Sequence, residues 1–161
     1  MGAGRGGRVT KPEQIEAFAA LLADRAASLR STVAAARSGT RVDGSHRPAN
    51  RGERGAVTSQ GYLAAGLASR LADIEAALAR LAEVPISPRS TVTAGARIEV
   101  DDGTRRRYLV LPGGSGEIVD DVTVLSPRSP IVRALLGREE GDVAELERGG
   151  ELIELELLSV E

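Results

Sequence analysis

Arginines crowd one stretch of this chain in a way that could grip phosphate. Arg37, Arg41, Arg47, Arg51 and Arg54 follow one another closely, accompanied only by Asp43 and Glu53. Guanidinium groups pair with phosphate oxygens, so the stretch reads as a basic finger for RNA, DNA or an acidic cleft. Arg47, Arg51 and Arg54 are its candidate nucleic-acid contacts. No aromatic residue interleaves with them, so base stacking is not indicated. The competing reading is a solvated loop tip. Asp101-Asp102 and Asp120-Asp121 could each offer oxygens to a hard cation, but paired acids are also ordinary turn residues. There is no cysteine, which removes thiolate zinc sites and disulfides. The single histidine, His46, falls in a loop and no nucleophile-elbow sequence is present, so a Ser/His/Asp hydrolase is not expected. The Gly2-Ala-Gly4-Arg-Gly-Gly7 run spells a dinucleotide fingerprint without the preceding strand that gives its glycines a purpose. Gly113-Gly-Ser-Gly116 lacks the Lys-Ser/Thr of a phosphate loop. No resident metal or cofactor is expected.

The elements that must position the arginines are helical. Lys11-Pro12-Glu13 opens a helix, with proline in the first turn and an acid near the positive end of the dipole. Ile15, Phe18, Leu22, Leu29 and Val33 recur at helical spacing to about Arg37. Residues 38–57 are glycine-rich and aperiodic and read as a loop. Thr58 or Ser59 can cap a second helix, in which Leu63, Leu67, Leu71, Ile74, Leu78 and Leu81 step by four or three, close to a heptad seam. Each helix carries one narrow apolar stripe, which fits two slender helices paired as an antiparallel coiled-coil hairpin. Pro85 and Pro88 end the second helix and stiffen a linker.

Beyond the linker the period changes to two. Arg97 to Val100, Arg107 to Leu111, Val122 to Val124, a segment near Val143 to Glu145, and Leu152 to Val160 read as strands. In the last, Leu152, Glu154 and Glu156 alternate with Ile153, Leu155 and Leu157, as on a sheet with one wet face. Ser129-Pro130 stops one segment, Ile131 to Leu136 makes a short apolar helix, Gly137 ends it, and Gly141-Asp142 turns the chain into a strand at Val143. The fold class is α+β. The domain reading is a disordered tail at 1–10, a helical hairpin at 11–84 with its tip loop at 38–57, a linker at 85–90, and a small β domain at 91–161.

Charge divides along the same line. Residues 1–60 hold ten Lys/Arg against five Asp/Glu, about +5, and residues 86–161 hold nine against fifteen, about −6. Such polarity suits two parts that meet different surfaces, although unlike solvated faces would produce it too. No apolar run approaches the ~20 residues a bilayer requires, and the charged N-terminus has no apolar segment behind it. A monomeric cytoplasmic protein is the expectation.

The segment Ser129-Pro-Ile-Val-Arg-Ala-Leu-Leu-Gly-Arg-Glu-Glu-Gly-Asp-Val143 closely resembles the C-terminal domain of the Gre transcription elongation and transcript-cleavage factors (GreA/GreB), where the stretch reads like SPIARGLIGKEEDDV. Ala94 to Val100 and Tyr108 to Val110 are similar to that domain's first strands, and Arg70 to Leu78 to the pattern RIKDIEAKL of the second hairpin helix. The resemblance implies an FKBP-like β domain with one short helix. It also implies binding to RNA polymerase, at the coiled coil of the β′ subunit beside the secondary channel, with Ser129, Pro130 and Ile131 at the contact. Prolyl isomerisation, which an FKBP-like sheet invites, is not expected, because only Tyr108 is present to line such a pocket. The factor would be no enzyme itself.

In the family the hairpin tip carries a D-L-x-E-N motif whose carboxylates help the polymerase hold a second Mg²⁺ and water as it cleaves a backtracked transcript. Extending the second-helix match backwards sets Asn50-Arg51-Gly52-Glu53 over D-L-x-E. Glu53 is retained, but neutral Asn50 stands where the family has Asp, and Arg51 and Arg54 flank the remaining acid. Asp43 could substitute if the loop folds back. The tip is poorly built for cleavage, so the resemblance implies a factor that binds polymerase and modulates transcription. Two alternatives stay open. One is a true cleavage factor using Glu53 with Asp43 and the polymerase's Mg²⁺. The other is a nucleic-acid-binding protein, touching nascent RNA or DNA through its arginine-rich tip.

Overall fold

The computed structural model describes residues 8–40 and 51–161, without the side chains of 39, 40, 53, 54 and 56–58. The elements run α1 (Lys11–Thr40), α2 (Arg51–Ala82), β1 (Arg97–Asp101), β2 (Arg105–Val110), β3 (Ser115–Val119), β4 (Val122–Leu125), α3 (Pro130–Leu135), β5 (Val143–Arg148) and β6 (Glu151–Val160). The chain forms two compact units, Met1–Ala19 with Ala79–Glu161, and Ala20–Leu78. The division therefore falls inside the helices and not at Pro85–Pro88.

α1 starts where its sequence supplies donors and acceptors for free backbone groups. Thr10 and Glu13 form a capping box: the Glu13 carboxylate accepts from Thr10 N at 2.7 Å and from its hydroxyl at 2.8 Å, while Glu13 N donates back to Thr10 Oγ1 at 3.4 Å. Val9 is anchored as well, its carbonyl accepting from Arg97 Nη1 at 3.2 Å. Residues 8–10 are thus ordered, contrary to the expected disordered tail at 1–10; residues 1–7 lie outside the described residues. The backbone bond from Thr10, then its hydroxyl, holds the Glu13 carboxyl below its usual value of 4.5. A depressed carboxyl adds stability that is present above 4.5 and is lost as pH falls through the lowered folded value. Glu13→Gln is expected to be less stable than wild type at neutral pH and to converge on it in acid, read by chemical denaturation at both.

In the unit Ala20–Leu78, Arg30 donates through Nε and Nη2 to Glu75 Oε1 at 3.1 and 2.9 Å, placing the helices side by side. Ten residues separate Thr40 from Arg51 and reach at most roughly 36 Å. The 30 residues of α1 are roughly 45 Å long, so a parallel return is out of reach and the pair is antiparallel. Leu22, Ala26 and Val33 are buried on α1, and Ala64 and Ala77 on α2. Leu63, expected in the seam, is instead 63% exposed. The least exposed stripe of α2 runs from buried Ala64 through half-buried Leu67, Leu71, Ile74 and Leu78 to buried Leu81, in three-four steps with buried Ala77 beside it, which leaves Leu63 one residue out of register.

The helices also extend further than expected. α1 reaches Thr40 and α2 begins at Arg51, so residues 38–40 and 51–57 are helical and not part of a loop spanning 38–57. Gly52 and Gly55 each cost about 1 kcal/mol in a helix. The intervening Arg51, Glu53, Arg54 and Ala56 are good helix formers, and no proline follows Pro48 until Pro85.

The other unit is built on one six-stranded sheet of order β3-β4-β2-β1-β6-β5. The β2–β4 pair is parallel and the other pairs are antiparallel. Ile98, Val100, Tyr108, Val110, Leu155 and Leu157 gather under Val132 and Leu135 of α3. The alternation expected of the last strand holds: Leu155 and Leu157 are fully buried while Leu152, Glu154 and Glu156 face water. β3 was not foreseen; its sequence, Ser-Gly-Glu-Ile-Val, reads as loop. Pairing with β4 across the tight Asp120-Asp121 turn sets its register, with a bulge between Ser115 and Glu117.

Candidate partner-binding site

α3 fixes the position of the segment singled out by sequence. Ser129 is its N-cap, with an extended backbone and a hydroxyl accepting from Val132 N at 3.4 Å, and Pro130 occupies the first turn, where a missing N–H costs nothing. Below, Val132 and Leu135 are completely buried. Behind, Gly137 N donates to Val92 O and Val92 N to Arg138 O, both at 2.9 Å. The short helix is therefore held on three sides, leaving Pro130 exposed and Ile131 half-buried at its free end.

An open groove is lined by Ile131, Tyr108, Thr123 and Leu125, by Arg105, Arg106 and Arg107, and by the carboxylates of Glu99 and Asp121. Both carboxylates pair with Arg107, which leaves Arg105 and Arg106 as the remaining cations of the lining. Sequence reading found Ile131 but passed over the arginines; the signal was the run Arg105-Arg-Arg107 opening a strand straight after Asp101-Asp102-Gly103. Those aspartates serve the turn and the arginines: Asp101 Oδ1 accepts from Gly103 N at 2.9 Å, and Asp102 lies 3.8 Å from Arg106 and 3.9 Å from Arg148. Asp120, with φ 54, shapes the β3–β4 turn and Asp121 pairs with Arg107. Neither acidic pair is arranged as a cation site; among the described residues no group of three or more His, Cys, Asp or Glu gathers.

A second polar cluster ties the start of α1 to the sheet. Lys11, the only lysine of the chain, is 3% exposed and donates from Nζ to Ser87 O at 2.9 Å and Glu161 O at 3.1 Å. Arg97 donates to Gln14 Oε1 at 3.1 Å and pairs with the Glu161 carboxylate. Burial pushes the Lys11 ammonium below 10.5, aided by Arg97 and Arg89 and opposed by Glu161. Lys11, Gln14, Arg97 and Glu161 bond to one another and to backbone carbonyls, which reads as construction and not as a binding site, although Arg89 Nε nearby is buried without a hydrogen-bond partner.

Of the expected tip residues, Asp43, His46, Arg47 and Asn50 lie outside the described residues. Arg51 is exposed at the start of α2; Glu53 and Arg54 are on the same helix without described side chains. The structure brings together Ser129, Pro130 and Ile131, and adds Tyr108, Leu125 and the three arginines to them.

Comparison with known proteins matches residues 87–161 to the family model "Transcription elongation factor, GreA/GreB, C-term". The C-terminal part of the chain, just under half of its length, is thus similar to the C-terminal domain of the GreA/GreB family. The chain is also 35% identical over 97 residues to transcription elongation factor GreA of Methylococcus capsulatus, covering 56% of this chain and 60% of that relative. It thus spans less than two thirds of that GreA, and the homology to Gre elongation factors is carried by sequence. Among solved structures, Gfh1 of Thermus aquaticus is 18% identical, covering 87% of this chain and 91% of that one at a TM-score of 0.40. GreA/GreB from Nitrosomonas europaea is 22% identical, covering 56% and 78% at a TM-score of 0.35. No helix among the described residues is long and apolar enough to cross a membrane.

Proposed function

We propose that this protein is a Gre-like transcription factor that binds RNA polymerase through its C-terminal domain and modulates transcription without cleaving RNA itself. The supporting observation is the exposed Pro130–Ile131 end of a short helix that is otherwise fully braced, next to an open groove. The docking partner inferred from the family is the β′ coiled coil beside the secondary channel, with Ser129, Pro130 and Ile131 at the contact. The hairpin would then present its arginine-rich tip, including Arg47, Arg51 and Arg54, toward nucleic acid. Asn50 in place of an acid, with arginines beside Glu53, disfavours a shared Mg²⁺ at that tip.

Purified polymerase should retain the wild-type protein, and Ser129→Ala with Pro130→Ala should bind at least about tenfold more weakly, a loss typical of residues at an interface centre. Absence of wild-type binding, or full binding by the double variant with unchanged circular dichroism, would remove the reading. A stalled, backtracked complex separates modulation from cleavage. No transcript shortening is expected; shortening that Glu53→Ala abolishes would make the protein a cleavage cofactor.

A further inference from the structure

We propose that Arg106 selects what enters the groove: a protein segment carrying a carboxylate beside an apolar anchor. This rests on the polymerase-binding reading and adds to it the chemistry of the partner. The starting point is strand geometry. β2 pairs with β1 along its whole length, from Arg105↔Asp101 to Leu109↔Arg97. Its pairing with β4 begins only at Tyr108↔Thr123. The β4-facing edge of Arg105, Arg106 and Arg107 therefore has no strand beside it, and the groove opens along that edge.

Alternation along β2 puts Arg106 on the same face as Tyr108 and Val110, the face that carries α3. Arg106 thus stands next to the apolar floor formed by Tyr108, Leu125 and Ile131. The Arg106 side chain is 55% exposed and 3.8 Å from Asp102, a carboxylate only 9% exposed that also lies 3.9 Å from Arg148. Arg105 is 73% exposed and 3.9 Å from Asp101, on the opposite face of the strand. Arg107 differs, being engaged by both Asp121 and Glu99. Because Asp102 keeps Arg148 as a neighbour, Arg106 is the cation that can turn to a partner on the Ile131 face.

Charge identifies the occupant. The C-terminal domain is net acidic, about −6 over residues 86–161, yet the groove is lined by three arginines against two carboxylates, Glu99 and Asp121, both of them paired with Arg107. An acidic protein segment satisfies both the floor and Arg106. A nucleic-acid backbone would satisfy Arg106 but leave the half-buried Ile131 and Leu125 without an apolar partner, and would meet the domain's overall repulsion.

The test is association kinetics with RNA polymerase at low and high salt, comparing wild type, Arg106→Glu, Arg106→Gln and Ile131→Asp. A charge at an interface rim acts mainly on the association rate and its salt dependence, whereas a buried anchor acts on dissociation. Arg106→Glu should associate about tenfold more slowly at low salt, Arg106→Gln by less, with the difference from wild type shrinking at high salt. Ile131→Asp should mainly speed dissociation. If Ile131→Asp weakens binding while both Arg106 variants keep wild-type rates and salt dependence, the inference fails and the polymerase reading survives. If wild type does not bind polymerase, both fail. If the Arg106 variants instead lose binding to bare duplex DNA and keep polymerase, the groove is a nucleic-acid site and the inference is overturned. Arg106→Gln, which keeps a hydrogen-bond donor near Asp102, covers the case in which charge reversal disturbs folding.

Discussion

Phe18→Ala is expected to destabilise the protein by about 3–5 kcal/mol, the usual cost of removing a fully buried phenylalanine. Phe18 is the single phenylalanine of the chain and is 0% exposed. It sits on α1 but falls within the unit Met1–Ala19 with Ala79–Glu161. Its neighbours along the helix are equally committed: Lys11 and Gln14 are buried through hydrogen bonds to that unit, and Ile15 is 8% exposed. The opening turns of α1 therefore belong to the same compact unit as the sheet. Small domains have about 5–15 kcal/mol in total, so the variant should unfold at much lower denaturant. Tyr62→Ala, removing a ring that is 77% exposed, should change stability by less than about 0.5 kcal/mol. A cost for Phe18→Ala below about 1 kcal/mol would show that this helical start is not core.

That result would bear on the boundary that the sequence draws at its two prolines, which the grouping of residues into compact units does not follow. Pro85 and Pro88 are strong punctuation, and a chain that changes period from helical to alternating across them reads as two domains joined there. What overrides the punctuation is a set of contacts between residues 83 to 150 positions apart, such as Arg97 to Gln14 and Lys11 to Glu161. Nothing local announces them. The start of α1 at Lys11-Pro12-Glu13 was legible, by contrast, because its signals lie within one turn.

The helical seam shows a subtler limit. Large residues identified it correctly on α1, but the buried set includes Ala26, Ala64 and Ala77. Alanine is so common in this chain that it carries little phase information, so Leu63 was chosen over Ala64 on size alone. β3 was lost for the opposite reason: Ser115, Gly116 and Glu117 have poor strand propensity, and only pairing with β4 makes them extended. At the candidate site, Ser129, Pro130 and Ile131 were legible as a contiguous motif. Arg106 and Tyr108 were not, because a groove is assembled from strands and a helix distant in sequence.

Gly95→Ala should be the second costly substitution, at about 2–4 kcal/mol. Gly95 has φ +90, and Ala96 N donates to Thr93 O at 3.0 Å, closing a tight turn that needs positive φ at its third residue. An L-residue there is strained by roughly 1–2 kcal/mol. Its Cβ would also lie 2.8 Å from Pro85 O and 2.9 Å from Val84 Cγ1. Overpacking of that kind adds typically 1–3 kcal/mol, because Pro85 O is backbone and cannot rotate away. Gly95 N meanwhile holds Val110 O at 2.8 Å, so the turn cannot swing outward without breaking a contact to β2. Gly103 supplies the control. Its φ is +100 but a Cβ would meet nothing within 4 Å, so Gly103→Ala should carry the strain alone. Gly103→Asn should recover part of that loss, since asparagine tolerates positive φ, whereas Gly95→Asn should not, because its Cβ meets the same atoms. Equal losses for Gly95→Ala and Gly103→Ala in chemical denaturation would mean that Pro85 can yield, and that the helix-to-sheet junction is softer than its packing indicates.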